Sequence, residues 1–495
     1  MSEDYQLKFE SIESDIRSGR SSDAKNKLNN LNTKKIPRAY VEKFANLSYR
    51  SNLPNVSLRI LGNYIGDRAG LNTSLSGDEI AEYAISLSRL GANHEANRWL
   101  NSLETFNSPK TLLYKSFIHI TQWEYDQALP YFEKYLGLKE ITEYQALVAK
   151  TNMVACMIFI GKLEQAEQLL NELIQTNKEQ NNELLLTNAY ELMSQVKIGT
   201  KDYKQAKDFV EKGLSLCRNT ESRAEIYLNK WDCVLTLRQN SDQDTIERLL
   251  NIKQLSLKKS IWENVRECDF YLSEFQQNND LFHYVYFGTP HKSYREYLLK
   301  KRIKPIQLNN SIEFSLGSKE SNDTEIFNID TLNFNNSKKP IFKFSSLNNS
   351  LLKTLTADFY NPQRIGSIFS QIYPGEFYDP FTSPDRVHQA IRRFRKDLKK
   401  HNFDMKVEFE SGGYLLKTGS TLKLKKSLSP IHENHDSYLL SKLKKEFGEN
   451  HFSLKQAREH LKLSKTKVHY LLKPVVNNEI IQTGKGPATK YKFTG

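Results

Sequence analysis

The chain is poor in the residues that staple or punctuate small folds. Only four cysteines stand among its 495 residues, none in a CxxC pair and none with a histidine at metal-ligand spacing. This excludes a disulfide scaffold and a zinc ribbon, and reads Cys156, Cys217, Cys233 and Cys268 as reduced packing residues. Proline (14) and glycine (21) are sparse, which disfavours sandwiches and barrels. No apolar run approaches the roughly 18 residues of a membrane span. The N-terminus, MSEDYQLKFESIESD, is acidic and polar, unlike a signal peptide. Catalytic signatures are missing too: there is no phosphate loop, HExxH, GxSxG, Rossmann glycine run or EF-hand loop. Glu408 and Glu410 alternate on a strand with no base or nucleophile beside them, so they read as solvated surface. Gly484-Lys485-Gly486 lacks the rest of a phosphate loop. The expectation is a soluble, cytoplasmic, non-enzymatic protein with no cofactor, no metal and no membrane partner.

What is present is hydrophobic (38%) and aromatic (11%) enough to fold, and long enough for two to four domains. The positive charge is unevenly placed. Residues 341–495 hold 27 Lys and Arg against 14 Asp and Glu, whereas residues 1–340 hold 44 of each. The whole net charge of +13 therefore sits in the last third, which points to a polyanion as the partner of that part.

The first 300 residues repeat a motif: a turn, a short polar step, an apolar residue, then a small residue and a hydrophobic tail. It runs clearly from Trp123 to Leu136, from Gly161 to Leu173 and from Lys201 to Leu214, and more weakly from Gly91 to Leu103. The small residues are Ala24, Ser57, Ala96, Ala128, Ala166 and Ala206, spaced 33, 39, 32, 38 and 40 apart. At Tyr125/Ala128/Phe132 and Tyr203/Ala206/Phe209 the chain resembles tetratricopeptide repeats, without their repeat-ending proline. The resemblance implies six or seven helical hairpins over residues 1–305, stacked into an α-solenoid whose concave face takes a peptide or protein. A scaffold or dimerisation arm is the other reading.

Alternating segments at Ile312–Leu316 and Ile326–Phe334 predict strands. A helix through Leu351, Leu352 and Leu355 follows, and Asn361-Pro362 predicts the start of a second through Ile365, Ile368 and Phe369. Ser383-Pro384 then opens a third helix in which Val387, Ile391, Phe394 and Leu398 form one apolar stripe. Arg386, Gln389, Arg393 and Lys396 share another face, flanked by Arg392, Arg395, Lys399 and Lys400. Arginine reads guanine and glutamine reads adenine from a helix in the major groove, while off-face cations suit phosphates. Lys406–Phe409 and Tyr414–Thr418 predict a hairpin turning at Gly412-Gly413. Ile391–Leu398 and Ser411–Leu416 together resemble the recognition helix and wing of OmpR/PhoB-type winged helices. That resemblance implies a winged-helix domain at 306–420 in which Arg393 and Arg395 reach DNA. The acidic wing, with Ser411 where that family has arginine, leaves the helix to carry the binding.

A basic linker is expected at 421–435. Residues 436–495 predict a helix to Phe447, a capping box at Ser453–Gln456, a helix to about Leu461, and a third opened by Ser464. Ala457, Val468 and Leu471 or Leu472 are the core candidates. Gly484, Lys485, Gly486, Thr489, Lys490 and Tyr491 resemble the ending of widespread bacterial winged helix-turn-helix domains. The resemblance implies DNA contact by Lys465, Thr466, Lys467, His469 and Tyr470 on the helix, and by Lys485, Lys490 and Lys492 on a basic wing.

The chain is thus expected to be mainly α: a tetratricopeptide-like solenoid followed by two α+β winged-helix domains. The function expected is transcription regulation by binding double-stranded DNA, with a nucleoid-associated location and a homodimer left open. The alternative is an interaction scaffold whose winged helices dock proteins or a non-specific polyanion.

Overall fold

Helices of amphipathic pattern, closed by turn residues, build the first 301 residues into hairpins. The pairs are α1 (Ser2–Arg17) with α2 (Ser21–Asn29), α3 (Val41–Arg50) with α4 (Pro54–Gly62), and α5 (Gly77–Arg89) with α6 (Asn93–Asn101). Next come α7 (Pro109–Thr121) with α8 (Tyr125–Leu136), and α9 (Glu143–Ile160) with α10 (Leu163–Glu179). Then follow α11 (Glu183–Gly199) with α12 (Tyr203–Cys217), α13 (Arg223–Gln239) with α14 (Gln243–Lys258), and α15 (Trp262–Phe275) with α16 (Asn279–Phe287). A single helix, α17 (Lys292–Lys301), ends the array, and a small hairpin, β1 (Ile65–Asp67) with β2 (Asn72–Thr73), separates α4 from α5. This computed structural model describes residues 2–17, 20–67, 72–102, 108–217, 223–240, 242–317, 324–334, 340–341, 347–427, 435–461, 463–472, 475–476, 480–484, 486 and 489–493.

Local chemistry sets the ends. Capping boxes open α5 (Ser76 with Glu79) and α9 (Thr142 with Gln145), and Gly161 closes α9 in the left-handed region at φ 86°. The six small residues all fall at the fourth position of the second helix of a hairpin, and all are fully buried. A small side chain there lets the paired helices approach closely. The array has eight hairpins among the described residues, not six or seven. In the last two, that fourth position holds Ile246 and Phe282, large residues that conceal the repeat.

The array closes on itself through α17. Tyr294 packs its ring 4.1 Å from Trp123 and Tyr297 packs 4.7 Å from Phe159, so α17 joins the fourth and fifth hairpins to the eighth. Aromatic rings of α17 therefore pack directly against the fourth and fifth hairpins.

Residues 311–427 form a second unit. Its four-stranded sheet has the order β3 (Ser311–Phe314), β9 (Leu422–Ser427), β4 (Glu325–Asn328), β5 (Asn333–Phe334). The sequence expectation placed a linker at β9. It is instead the inner strand, antiparallel to β3 and parallel to β4, with Leu422 and Leu424 buried and Lys423 and Lys425 alternating outward. Between β5 and β9 in the chain run α18 (Leu347–Leu355), β6 (Gln363–Arg364), α19 (Ile365–Ile372), α20 (Ser383–Lys400), β7 (Met405–Glu410) and β8 (Gly413–Thr418). β6, β8 and β7 make a three-stranded antiparallel sheet in that order. Two predicted boundaries move. Asn361-Pro362 does not open α19: a two-residue strand intervenes, and the helix begins at Ile365. The hairpin turns at Ser411-Gly412 (φ 50° and 81°), not at Gly412-Gly413, because two positive φ values match the strand twist and Gly413 already pairs with Glu410.

The third unit has its own core of Leu439, Leu443, Phe452, Ala457, Val468, Leu471, Leu472, Ile480, Tyr491 and Phe493. Its elements are α21 (His435–Phe447), β10 (Phe452–Ser453), α22 (Leu454–Leu461), α23 (Lys465–Leu472), β11 (Ile480–Thr483) and β12 (Lys490–Phe493), with sheet order β10, β12, β11. The Ser453–Gln456 capping box is present, its two arms closing at 3.2 and 2.9 Å.

The first two units are not beads on a string. One contiguous core runs through the first three hairpins, α7 of the fourth, the sixth to eighth hairpins, α17 and the unit at 311–427.

Candidate nucleic-acid interface

α20 is held from below. Val387, Ala390, Ile391, Phe394 and Leu398 are buried, and the helix packs on α18, α19 and β7. At 100° per residue, that apolar stripe leaves Gln389, Arg392, Arg393, Lys396, Lys399 and Lys400 exposed on the opposite face. None of these six side chains has an ion-pair or hydrogen-bond partner among the described residues. They cover about 16 Å of helix at 1.5 Å per residue.

The two other predicted readers lie at opposite edges of that face. Arg386 donates to Glu376 at 2.6 Å and lies over the Tyr373 ring at 4.0 Å, so it braces the loop ahead of the helix. Arg395 donates from Nε to the Val407 carbonyl at 2.9 Å and faces Tyr414, so it braces the β7–β8 hairpin. A guanidinium engaged in such contacts is a support for the reading face rather than its centre.

The hairpin's carboxylates are neutralised within the strand pair. Lys417 Nζ lies 2.7 Å from Glu408 and 3.6 Å from Glu410, and its hydrogen bond holds the Glu408 carboxyl below its ordinary pKa. The hairpin tip is seated on the solenoid, with Ser411 Oγ 2.7 Å from Ser260 Oγ.

Two seams fix this unit to the helical array. At the first, Ser367 N donates to Leu90 O at 3.0 Å and Arg364 donates to Arg89 O at 3.0 Å. Gly366 is required there, since a Cβ would sit 2.6 Å from Leu90 O. Tyr378, fully buried, donates from its N–H to Glu95 at 2.7 Å and from its hydroxyl to Asn55 at 3.2 Å. At the second seam, Arg266 donates to both oxygens of Asp358 at 2.6 Å, and both residues are buried. Burial pushes the Asp358 carboxyl up, but Arg266 and the N–H groups of Tyr360 and Asn361 outweigh it and hold the pKa below the usual range. Tyr360 donates to Asp269 at 3.0 Å and Asn361 to Glu263 at 2.7 Å. Sequence reasoning missed these residues. Arg266 and Asp358 stand 92 positions apart, so no local pattern pairs them.

No family model matches this chain, and no curated protein does. Among solved structures it is similar to a Rap protein complexed with competence and sporulation factor, with 9% identity and a TM-score of 0.43 over 57% of this chain and 86% of that one. It is also similar to the apo form of RapI, at 12% identity and a TM-score of 0.37 over 57% of this chain and 85% of that one. A third is the C-terminal part of a TPR repeat-containing protein from Cytophaga hutchinsonii, at 13% identity and a TM-score of 0.30 over 49% of this chain and 93% of that one. At these values none of them assigns the chain an activity.

In the third unit, Lys465, Thr466, His469 and Lys490 are exposed and Lys492 is half-buried. Lys485 and the side chains of Lys467 and Tyr470 lie outside the described residues. Among the described residues no helix is long and apolar enough to cross a membrane, and no cluster of His, Cys, Asp or Glu is arranged to hold a metal ion.

Proposed function

We propose that this chain is a double-stranded DNA-binding transcription regulator, with α20 as the recognition helix of an OmpR/PhoB-type winged-helix domain. One observation carries the reading: the unpartnered face of Gln389, Arg392, Arg393, Lys396, Lys399 and Lys400, presented by a rigidly packed helix. Such a face fits a major groove, with Gln389 and Arg393 toward base edges and the lysines toward phosphates. The three helices followed by a strand pair, with a preceding sheet, fit the same family. A hairpin seated on the solenoid, its acids paired to Lys417, does not enter a minor groove, so the helix supplies the specificity. The third unit is read as a second winged helix that adds Lys465, Thr466, His469 and Lys490. The helical repeats are read as the part that takes a protein or peptide.

The test uses the full chain, because residues 340–495 alone would lack β3, β4 and β5 and leave β9 without neighbours. Fragments of genomic DNA bound by the chain are selected, and affinity is then measured on a selected and an unrelated duplex. Preference for the selected duplex, with affinity falling steeply as salt rises, is the expected result. Equal affinity for both would replace the reading with a non-specific polyanion binder, and no binding at low salt would end it.

A further inference from the structure

The geometry points to the rim of the solenoid at α4–α6 as a second phosphate-contacting surface, with Arg59 and Arg89 as its cations. The inference rests on the reading of α20 as a DNA-reading helix.

The two edges of α20 face different neighbours. The Arg395 edge faces the β7–β8 hairpin. The Arg386 edge faces the loop at 373–382, through Glu376 and Tyr373. That loop is fastened to the solenoid: Phe377 lies under Arg98 at 4.6 Å, Tyr378 is buried against Asn55 and Glu95, and the Pro380 carbonyl lies 3.5 Å from Arg59 Nε. The solenoid rim therefore flanks the reading face on the side away from the hairpin. Pro380 is three residues from the first residue of α20, which places Arg59 beside the N-terminal end of the reading helix.

In a helix-turn-helix the helix before the reading helix crosses the DNA backbone, and helix N-termini are ready seats for phosphate. In this chain that seat is taken. The N-terminal turn of α19 gives its Ser367 N–H to the Leu90 carbonyl. A backbone strand approaching on this flank meets the solenoid instead. What the solenoid shows there is cationic. Arg59 and Arg89 are exposed, and neither is ion-paired to a carboxylate among the described residues. Arg89 rests on Tyr49, at 5.1 Å from the ring, and its own carbonyl receives Arg364. The nearest acid of α6, Glu95, is buried and spent on the Tyr378 N–H, and Asp78 lies at the far end of α5. The seam that ties the solenoid to the reading unit thus replaces a lost backbone contact with two arginines.

The experiment is anisotropy titration of the full chain on the selected and the unrelated duplex between 50 and 200 mM salt. For R59A/R89A we expect several-fold to tenfold weaker binding on both duplexes, with a salt slope shallower by about 2. R59K/R89K keeps the charge but not the guanidinium contacts, and should hold the wild-type slope. Unchanged affinity and slope in R59A/R89A would overturn the proposal, as would tighter binding, which would make the rim an obstruction. Two failures stay distinct. If wild type binds neither duplex, the reading of α20 fails and this inference with it. If wild type binds and R393A loses discrimination while R59A/R89A changes nothing, the rim alone is refuted.

Discussion

Arg393 and Arg386 share a face by sequence count, yet their environments separate their roles. Arg393 is exposed and unpartnered, so Arg393→Ala should lose sequence discrimination worth about 1–3 kcal/mol, while Lys400→Ala weakens all duplexes alike. Arg386 is tied to Glu376 and Tyr373, so Arg386→Ala should weaken binding by loosening the loop, with discrimination retained. Competition titrations against a panel of single-base variants separate the two outcomes. The buried pair behaves differently again. Asp358→Ala would leave Arg266 buried with Glu263, 3.0 Å from its guanidinium, as its remaining carboxylate partner, and should still cost about 3 kcal/mol in a urea titration. Acid attacks the same seam from two groups. Asp358 has its pKa lowered in the fold, so its contribution is complete above the ordinary carboxylate range and disappears as pH falls through that lowered value. Burial lowers His291 to about 4, so the unfolded chain takes up its proton first and stability already declines as pH falls from the ordinary histidine range toward 4. Thermal melts across pH 4 to 8 should show this decline, and His291→Gln should flatten its upper part.

The elements that sequence made legible are those whose signal is local. The stripe of α20, the capping box of α22 and the alanine at the fourth position of α6, α8, α10 and α12 are all periodic or capped within one turn. α14 and α16 escaped because Ile246 and Phe282, both buried, take the small residue's place. β9 escaped because Leu-Lys-Leu-Lys between basic neighbours has the composition of a linker, while its partners, β3 and β4, lie about a hundred residues earlier. The exposed cationic face of α20 was legible residue by residue, but its engagement at both edges, by Glu376 and by Val407, depends on chain reversals 10 and 12 residues long that helical periodicity does not encode. β9 offers a direct test. A chain ending at residue 427 keeps the inner strand and should retain the circular dichroism and melting of residues 1–427 in the full protein. One ending at residue 420 exposes β3 and β4 edges and the Leu422 and Leu424 sites, and should precipitate or lose its cooperative melt.

At the scale of the molecule, the proposed DNA binding by both the body built on one core within 2–427 and the separate core at 435–493 is limited by the peptide between them. Eight residue steps join Ser427 to His435, and a chain of that length spans at most roughly 28 Å. That is less than one turn of DNA, about 34 Å. If both units grip DNA, this short tether holds them close together, and binding of the first raises the effective concentration of the second. Such linkage strengthens binding by roughly 10²–10⁴ when geometry permits it and by nothing when it does not. The chain ending at 427 should accordingly lose affinity of that order on long selected duplexes, and should match the full chain on duplexes trimmed to the α20 site. Inserting five base pairs between the two half-sites turns the second to the opposite side of the helix, and should cost the full chain most of that gain while leaving the shortened chain unaffected. Equal affinity of the two chains on every duplex would mean that Lys465, Thr466, His469 and Lys490 face something other than DNA.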